Sequence, residues 1–392
     1  MMMDGNYLSH MLFQAPALDP GEMDVLEQID ALRETLRYLL HEPRRWEGSL
    51  RRVAMARAIQ GSNSIEGYEA PLDDAVAVDL GEEPLDAEQE TKLALKGYRD
   101  AMTYVLQLAG EERFAYSEQL IKALHFIMTG YDLKHRPGLW RVGSVYVRDE
   151  ETGDVVYRGP EIERVPEIMD EYVCTLNSAS DVPMLVHAGM AHLNLVMVHP
   201  FRDGNGRMAR CLQTLVIARQ GVLYPLFSSI EEYLGRNTRA YYDVLGAVGQ
   251  GAWHPERDAR PWVRFILTAH LRQAQTTLRR VKETEQLWDE LHTLAPRRAL
   301  PERTIPGLYM AVMGFRVRNA TYRANAIADD GNDITVATAG RDLQQLVTVG
   351  LLTPQGERRG RFYTASPELA SIRQAVLEAR GRRDDRDPFA EA

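Results

Sequence analysis

The 392-residue sequence contains only two cysteines, Cys174 and Cys211, and no Cys-x-x-Cys pair. That count excludes a disulfide-stapled scaffold and a zinc ribbon. The sequence also lacks an apolar run approaching the roughly 20 residues that a membrane-spanning helix needs. Its first residues have no basic region followed by an apolar one, so we predict no signal peptide. We therefore expect a cytoplasmic protein without a membrane partner.

A basic excess is missing as well, because 46 lysines and arginines face 56 acidic residues, which gives a net charge of −10. Such a charge argues against binding nucleic acid or an anionic membrane through the whole surface. The charge is unevenly spread, since from Arg297 onward 15 arginines and no lysine face 12 acidic residues. An acidic body with a weakly basic C-terminal region indicates two separate tasks.

The apolar periodicity predicts a mainly α-helical fold. Apolar residues recur at helical spacing in six stretches, at 23–40, 88–107, 117–129, 181–198, 207–220 and 261–294. Near 143–157 the pattern changes to alternation around a turn, which predicts a β-hairpin. We expect four regions, namely an N-terminal helical segment at 1–87, a core at 88–295, a small domain at 296–380 and a disordered tail at 381–392.

The small C-terminal domain has the pattern of a winged helix-turn-helix. A helical stretch begins at Thr335, whose hydroxyl is a good N-cap, and leads through a turn rich in glycine and arginine to an extended run. Three arginines on this turn would contact DNA phosphates, namely Arg358, Arg359 and Arg361. Because Arg341 is the only base of the preceding helix, a solvated turn and a protein-contact module stay open as alternatives.

The strongest chemical signal is the segment His-Pro-Phe-Arg-Asp-Gly-Asn-Gly-Arg-Met-Ala-Arg at 199–210. Gly204 and Gly206 allow a sharp turn, and helical periodicity resumes after them. A glycine-rich loop at a helix N-terminus directs several N–H groups at one place and binds anions, phosphate above all. Arg207 and Arg210 share one helix face beside that place, and each can make charge-assisted contacts to phosphate.

Two further side chains of this segment supply chemistry. Asp203 can hold Mg²⁺, a hard cation that takes one or two carboxylates and phosphate oxygens. His199 is a titratable group at the same place and can act as a general base. A lone Gly-Asn-Gly turn is common and a lone histidine is usually structural, but six suitable residues within twelve positions argue against coincidence. The combination predicts phosphoryl or nucleotidyl transfer.

This segment resembles the Fic family motif, His-x-Phe-x-Asp/Glu-Gly-Asn-Gly-Arg-x-x-Arg, at every defined position. The resemblance implies a Fic-type helical bundle with a β-hairpin flap, followed here by the small winged helix. It also implies protein adenylylation, in which AMP passes from ATP, with Mg²⁺, to a Ser, Thr or Tyr hydroxyl of a target protein or of the chain itself. Family members of this organisation are often dimeric, which implies a homodimer.

The resemblance also implies residue roles. His199 would deprotonate the acceptor hydroxyl, Asp203 would coordinate Mg²⁺, and Phe201 would be buried and anchor the loop. The nucleotide-binding residues would be Asp203, Gly204, Asn205, Gly206, Arg207, Met208, Ala209 and Arg210, with Tyr241 and Tyr242 near the adenosine. For the two tyrosines, packing within a helix is the open alternative. The flap would dock the target segment through Val145, Tyr146, Val147 and Arg148.

Upstream, Ser62-Asn-Ser-Ile-Glu66-Gly67 is similar to the family's inhibitory-helix motif, Ser/Thr-x-x-x-Glu-Gly/Asn. We predict that Gly61 breaks a helix and that residues 62–64 cap a new turn or short helix carrying Glu66. By resemblance, Glu66 would pair with Arg210 where the γ-phosphate belongs, and Ser62 would brace the turn. The alternative is that Glu66 is an ordinary surface carboxylate.

Two other functions stay open on the sequence. One is a DNA-binding regulator in which the Fic-like core senses a nucleotide and the C-terminal arginines contact DNA. The other is a de-adenylylating enzyme in which Glu66 positions a water. The sequence names neither the target protein nor the modified residue.

Overall fold

The computed structural model describes residues 11–42, 44–148, 155–219, 229–330, 334–357, 360–380 and 386–390. The side chains of residues 146–148 and 327–330 are outside this description. Several sequence predictions therefore lie outside the described residues: the hairpin turn at 149–154, the flap side chains Tyr146, Val147 and Arg148, the arginines Arg358 and Arg359, and tail residues 381–385 and 391–392.

Within these ranges the chain forms fifteen α-helices. In chain order they are α1 (Pro20–Leu39), α2 (Glu47–Ser64), α3 (Leu72–Asp79), α4 (Gln89–Leu108), α5 (Glu118–Thr129), α6 (Val165–Asn177), α7 (Met184–Val198), α8 (Asn205–Arg219), α9 (Glu231–Arg236), α10 (Thr238–Gly249), α11 (Arg260–Arg297), α12 (Ile305–Val312), α13 (Asn319–Asp330), α14 (Val336–Thr348) and α15 (Pro367–Ala379). None of these helices is both long and apolar enough to cross a membrane. The predicted mainly helical fold is confirmed.

Side-chain caps explain where several helices begin. Asp19 and Glu22 form a reciprocal capping box at the start of α1. Ser117 and Thr335 accept N–H bonds at the starts of α5 and α14, which confirms the N-cap predicted for Thr335. Each such cap satisfies a backbone donor that has no partner within its own helix.

The helices α7 and α8 lie at the centre of the fold and carry the motif loop between them. Both pack against each other, with α11 on α7 and α4 on α8. Nearly every residue of the two helices is buried, as expected for helices that are surrounded on all sides. One continuous apolar core runs from Leu12 to Val376. The loop is therefore held between two immobile helix ends.

Five short strands complete the described structure. Strand β1 (Tyr146–Arg148) pairs antiparallel with β2 (Val155–Arg158), and β2 pairs parallel with β3 (Gly251–Ala252). The hairpin predicted at 143–157 is confirmed by this pairing. Strands β4 (Leu352–Gln355) and β5 (Phe362–Ala365) form a second antiparallel hairpin.

The predicted break at Gly61 is wrong, because α2 continues through it to Ser64. A Cβ at Gly61 would lie 2.5 Å from the Glu231 carbonyl oxygen, and one at Gly235 would lie 2.8 Å from the Gly61 Cα. The glycines therefore permit α2 and α9 to cross with their backbones in contact. Residues 62–64 end a helix where we predicted that they begin one.

The C-terminal region runs α12, α13, α14 and then the β4–β5 hairpin, with a bridge between Val317 and Tyr363. This order agrees with the predicted winged helix, which stays a prediction. Arg316 connects this region to the N-terminal segment through ion pairs with Asp73 in α3 and with Asp86, which follows α3. In the tail, where we predicted disorder, the ring of Phe389 lies 5.2 Å from the guanidinium of Arg264.

Candidate active site

The loop between α7 and α8 reverses the chain in a tight turn. His199 closes α7 in the left-handed conformation, with φ 51°, and Gly204 follows with φ 73°. The Asn205 side chain accepts from the Phe201 N–H at 2.9 Å and donates to the Phe201 carbonyl at 3.0 Å. This pair of bonds closes the loop, so Asn205 shapes it from within.

Two buried rings, Phe201 of the loop and His125 of α5, anchor the loop in the core. Phe201 is fully buried, as predicted, and its ring stacks on the His125 imidazole with centroids 3.7 Å apart. The Gly138 N–H donates to His125 Nδ1 at 2.8 Å, so Nε2 carries the proton and donates to the Asp203 carbonyl at 2.9 Å. Burial lowers the pKa of His125 to about 4, and the ring is therefore neutral at pH 7.

The His199 side chain is prepared to accept a proton. Its Nδ1 lies 3.1 Å from the Val196 carbonyl oxygen, and because a carbonyl only accepts, Nδ1 carries the proton. Nε2 is then the basic nitrogen. Burial lowers the pKa of His199 below its ordinary value, so the imidazole is neutral near pH 7. A neutral imidazole with this tautomer can act as a general base.

Two buried arginines flank the first turns of α8. Arg210 donates from Nε to the Ser62 hydroxyl at 2.8 Å, and from Nη2 to the Ser62 carbonyl at 2.9 Å and to Glu66 Oε1 at 2.6 Å. Burial lowers the pKa of Arg210, but the Glu66 charge outweighs it and raises that pKa overall. The predicted pairing of Glu66 with Arg210 is present, and Ser62 braces the arginine itself.

Arg207 is covered by a separate set of contacts. Its Nη2 donates to the Asp203 carboxylate at 3.0 Å and its Nη1 to the Tyr131 hydroxyl at 3.3 Å. The ring of Tyr68, just beyond the Glu66 turn, has its centroid 5.1 Å from the guanidinium carbon, a cation–π arrangement. The segment after α2 therefore lies over both arginines.

The start of α8 is an anion-binding site that Glu66 already occupies. A Cβ at Gly206 would overlap Glu66 Oε1, so the carboxylate lies directly on the helix N-terminus. Among the described residues, Arg207 Nε and Arg210 Nη1 are buried without a hydrogen-bond partner. Unsatisfied buried donors beside a positive helix end fit phosphate oxygens.

The turn that carries Glu66 explains the glycine after it. The Tyr68 N–H bonds to the Asn63 carbonyl and the Gly67 N–H to the Ser64 carbonyl, both within 3.1 Å. Gly67 is left-handed, with φ 81°. These two bonds form a Schellman motif, which requires a residue that tolerates positive φ. Glu66 thus leaves the end of α2 at a fixed position.

Asp203 fits a magnesium ion that is bound mostly through phosphate. Its Oδ2 lies 2.9 Å from His135 Nδ1, and 32% of its side chain is exposed. Burial raises the pKa of Asp203, but Arg207, the Gly204 N–H and His135 outweigh it, so the carboxyl is ionised at pH 7. The described residues contain no cluster of three or more metal-ligating side chains. One carboxylate suits Mg²⁺ that takes its other ligands from phosphates and water.

The two tyrosines occupy different environments. Tyr241 is fully buried, with its hydroxyl 3.0 Å from His192 Nε2. Tyr242 is about half exposed and donates to the Ile65 carbonyl at 3.0 Å. Tyr241 thus lies behind the anion site, and Tyr242 touches the Glu66 turn.

The structure places Met208 and Ala209 in the core, and their role in nucleotide binding stays a prediction. Both side chains are fully buried in the core, and the Met208 N–H already bonds to the Gly204 carbonyl at 2.9 Å. Once the helix begins at Asn205, these positions face the core. In the flap, the Val145 carbonyl accepts from the Gly159 N–H at 3.4 Å.

The sequence reasoning missed the residues that support the loop from other elements. These are Tyr68, His125, Tyr131, His135 and Arg141, which lie between 58 and 139 residues before the parts of the loop and of α8 that they contact. Two of them stood near a recognised signal, since Tyr68 follows the Glu66-Gly67 motif and Arg141 belongs to the Gly138-Leu-Trp-Arg-Val run before the hairpin.

Comparison with known proteins finds a match between part of this chain and one family model. Residues 115–217 match the model of the Fic/DOC family. This stretch is therefore similar to the Fic/DOC family. The matched stretch includes α5, the hairpin, the motif loop and most of α8.

Two curated relatives are similar over parts of their length. The protein adenylyltransferase Fic of Nematostella vectensis is 24% identical over 281 residues, which are 67% of this chain and 58% of that protein. The protein adenylyltransferase fic-1 of Caenorhabditis briggsae is 39% identical over 107 residues, 26% of this chain and 18% of that protein. The chain thus spans less than two thirds of these relatives and is their distant homologue.

A solved structure shares the fold over nearly the whole chain. A Fic family protein from Desulfovibrio desulfuricans superposes with a TM-score of 0.58 and 20% identity, covering 95% of this chain and 100% of that one. The helical Fic fold with small sheets is therefore shown. At 20% identity, this likeness is evidence for a shared fold alone.

Proposed function

We propose that the chain is a protein adenylyltransferase that transfers AMP from ATP to a protein hydroxyl and is restrained by Glu66. One observation carries the proposal. A neutral His199, with Nε2 as its basic nitrogen, belongs to the same loop as an anion site built on the α8 N-terminus and two buried arginines. A base beside a phosphate site is what attack on a phosphorus atom requires.

The reaction follows from these groups. The acceptor hydroxyl oxygen attacks the α-phosphorus of ATP while its proton passes to His199 Nε2. The bond from the α-phosphorus to the oxygen that bridges to the β-phosphorus breaks, and pyrophosphate leaves. Arg207 and Arg210 stabilise the negative charge that moves onto the leaving group.

Asp203 would hold Mg²⁺ beside the phosphates, and the ion supplies charge neutralisation of the phosphate oxygens. For that role Asp203 must be ionised, and Arg207 and His135 already hold its pKa below the ordinary value. The chain's own contribution is thus to keep a single carboxylate charged and oriented at the edge of the anion site.

Glu66 restrains the reaction by occupying the phosphate site. Its carboxylate meets Arg210 at 2.6 Å and lies against the α8 N-terminus, where a phosphate oxygen would otherwise bind. A nucleotide must displace it or bind with its phosphates shifted. Since a hydrogen bond to a charged group contributes about 1.5–3 kcal/mol, we expect Glu66→Gly to raise transfer by about 10- to 100-fold.

The test compares ATP labelled at the α-phosphorus with ATP labelled at the γ-phosphorus. The Glu66→Gly protein should become labelled, or label proteins of a lysate, from the α-label only. Glu66→Gly/His199→Ala should lose about 10²- to 10⁴-fold of that labelling. The matched control is Glu69→Gly, because Glu69 is an exposed carboxylate three residues away. Labelling from the γ-phosphorus, or undiminished labelling without His199, would contradict the proposal.

The C-terminal unit is proposed as a winged helix that contacts protein. In α14 the exposed side chains include a single base, Arg341, so the charge of this helix gives little support to a DNA-binding role. De-adenylylation by the same site is the remaining alternative, and release of AMP from the labelled protein on adding the unmodified chain would reveal it.

A further inference from the structure

Arg141 is a buried arginine that donates to four main-chain carbonyls in the described part of the chain. Arg141 is 5% exposed, and within the described part of the chain no carboxylate forms an ion pair with its guanidinium. Nε donates to the His199 carbonyl at 3.0 Å, Nη1 to the Gly143 carbonyl at 2.7 Å and Nη2 to the Pro160 carbonyl at 2.5 Å. Its own N–H donates to the Pro200 carbonyl at 2.8 Å.

Two of these carbonyls lie at the two ends of the first hairpin. Gly143 precedes β1, and Pro160 follows β2 by two residues. One guanidinium thus holds the incoming and the outgoing chain together. The hairpin and its neck are therefore fixed to Arg141, whatever the turn between the strands does.

The other two carbonyls belong to the turn that presents the base. His199 is left-handed, a conformation that is unfavourable for a non-glycine residue and that Arg141 stabilises by binding its carbonyl. The guanidinium charge also lies at the C-terminus of α7, where cations are stabilising. Beside it, the Tyr157 hydroxyl of β2 donates to the Met197 carbonyl at 2.9 Å.

We propose that Arg141 is a positioning residue that sets the distance between the acceptor-docking hairpin and the His199 imidazole. This inference rests on the proposed function, in which an acceptor hydroxyl bound along the hairpin gives its proton to Nε2. Both halves of that encounter are hydrogen-bonded to one side chain. Arg141 touches neither reactant and acts through the backbone.

The fork of arginine is essential for this arrangement. Three carbonyls in three directions match the rigid planar donors of a guanidinium, whereas a lysine ammonium on a flexible stem cannot reproduce that geometry. Arg141→Lys keeps the charge and frees the hairpin from the His199 turn. Because a displacement of about 1 Å can cost on the order of 10²-fold in rate, we expect transfer to fall by about 10- to 100-fold.

Nucleotide binding should be unaffected, because the anion site is built by Arg207 and Arg210 on α8, which Arg141 does not contact. The experiment measures single-turnover AMP transfer and the Kd for ATP in the Glu66→Gly protein with and without Arg141→Lys. The matched control is Arg219→Lys, since Arg219 also donates to three main-chain carbonyls, those of Leu108, Ala109 and Glu111, at the end of α4. We expect the rate to fall with Arg141→Lys alone, at an unchanged Kd.

Hydrogen exchange provides a readout that needs no activity. Arg141→Lys should accelerate amide exchange at both 155–160 and 197–203, while α8 stays protected and Arg219→Lys changes neither segment. Exchange that rises throughout the protein, or at the hairpin alone, would overturn the proposal, as would an undiminished transfer rate. If the Glu66→Gly protein transfers no AMP at all, the proposed function fails, and the exchange data still decide whether Arg141 couples the two segments.

Discussion

The two sides of the motif loop are held in opposite ways. On the side of α8, Arg210 is bonded by Glu66 and Ser62 of the N-terminal segment, through a charged contact that a phosphate could replace. On the side of the hairpin, Arg141 and His125 bind main-chain carbonyls, for which no nucleotide competes. Under the proposed function, the anion side is thus held by a contact that a ligand can replace, and the acceptor side by bonds to the main chain.

This difference assigns separate tasks to similar chemistry. An arginine paired with a carboxylate is sensitive to salt and to competing anions, whereas an arginine bound to buried carbonyls is part of the fold. Regulation belongs on the first side and geometric accuracy on the second. Substitutions on the two sides should therefore differ in kind as well as in size.

The largest stability effect should come from Arg210→Ala. It leaves the Glu66 carboxylate without its partner and removes a fully buried side chain, so we expect a loss of about 4 kcal/mol. Glu66→Gln should cost only about 1 kcal/mol, because Arg210 keeps its two bonds to Ser62. Urea unfolding followed by circular dichroism measures both. Equal losses of unfolding free energy in the two variants would contradict the expectation that the fold depends more on Arg210 than on the charge of Glu66.

The acceptor side should respond to pH through His125. Its pKa is about 4 in the folded protein, against an ordinary value of 6.5 for a solvated histidine, so the neutral ring contributes about 3 kcal/mol. Since the unfolded chain binds the proton more readily, this contribution is complete above about pH 6.5 and is lost as the pH falls toward 4. Unfolding free energies measured across this window should fall more steeply for the parent than for His125→Asn. His254→Asn, at an exposed histidine, should follow the parent.

A smaller effect is expected from Ser62→Ala on the anion side. The variant removes the hydroxyl that accepts from Arg210 Nε, and a hydrogen bond to a charged group contributes about 2 kcal/mol. Ser64→Ala is the matched control, because the Ser64 hydroxyl bonds only to the Gly61 carbonyl of its own helix. Thermal and urea unfolding should separate the two, and a loss of equal size would place the Ser62 effect in α2 itself.

The smallest effect is expected from Tyr157→Phe on the acceptor side. Loss of its bond to the Met197 carbonyl should cost about 1 kcal/mol. Tyr172→Phe removes a similar bond to the Ala191 carbonyl, earlier in the same helix, and should cost as much. Only Tyr157→Phe should accelerate amide exchange at the His199 turn, and the same exchange pattern in both variants would argue against a local role for Tyr157.

Local chemistry made the motif loop predictable, whereas contacts from distant segments did not appear in the sequence pattern. The order of His199, Asp203 and Arg210 indicated a base, a metal carboxylate and a phosphate site because all lie on one short segment. The pairing of Glu66 with Arg210 came from a resemblance, since no periodicity connects residues 144 positions apart.

The errors have the same physical cause. Gly61 looks like a helix breaker on its own sequence, yet α2 continues because α9 presses against it at Gly235. Met208 and Ala209 were assigned to the nucleotide by resemblance, and a helix starting at Asn205 places their side chains in the core, which their own sequence positions do not reveal. Arg141 and His125 were missed because their partners are backbone carbonyls, which leave no signature in side-chain composition.

The position of Glu66 in a single turn beyond α2 has a kinetic consequence. The carboxylate can leave Arg210 by rotation about the torsions of the Glu66 side chain, while the Schellman bonds keep the backbone of the turn in place and the 18-residue helix behind it stays packed. Side-chain rotations in exposed residues take picoseconds to nanoseconds, against microseconds to milliseconds for shifting a packed helix. Under the proposed function, the blocked and open forms would therefore interconvert without moving a packed helix, and the rate would follow the nucleotide concentration without a lag.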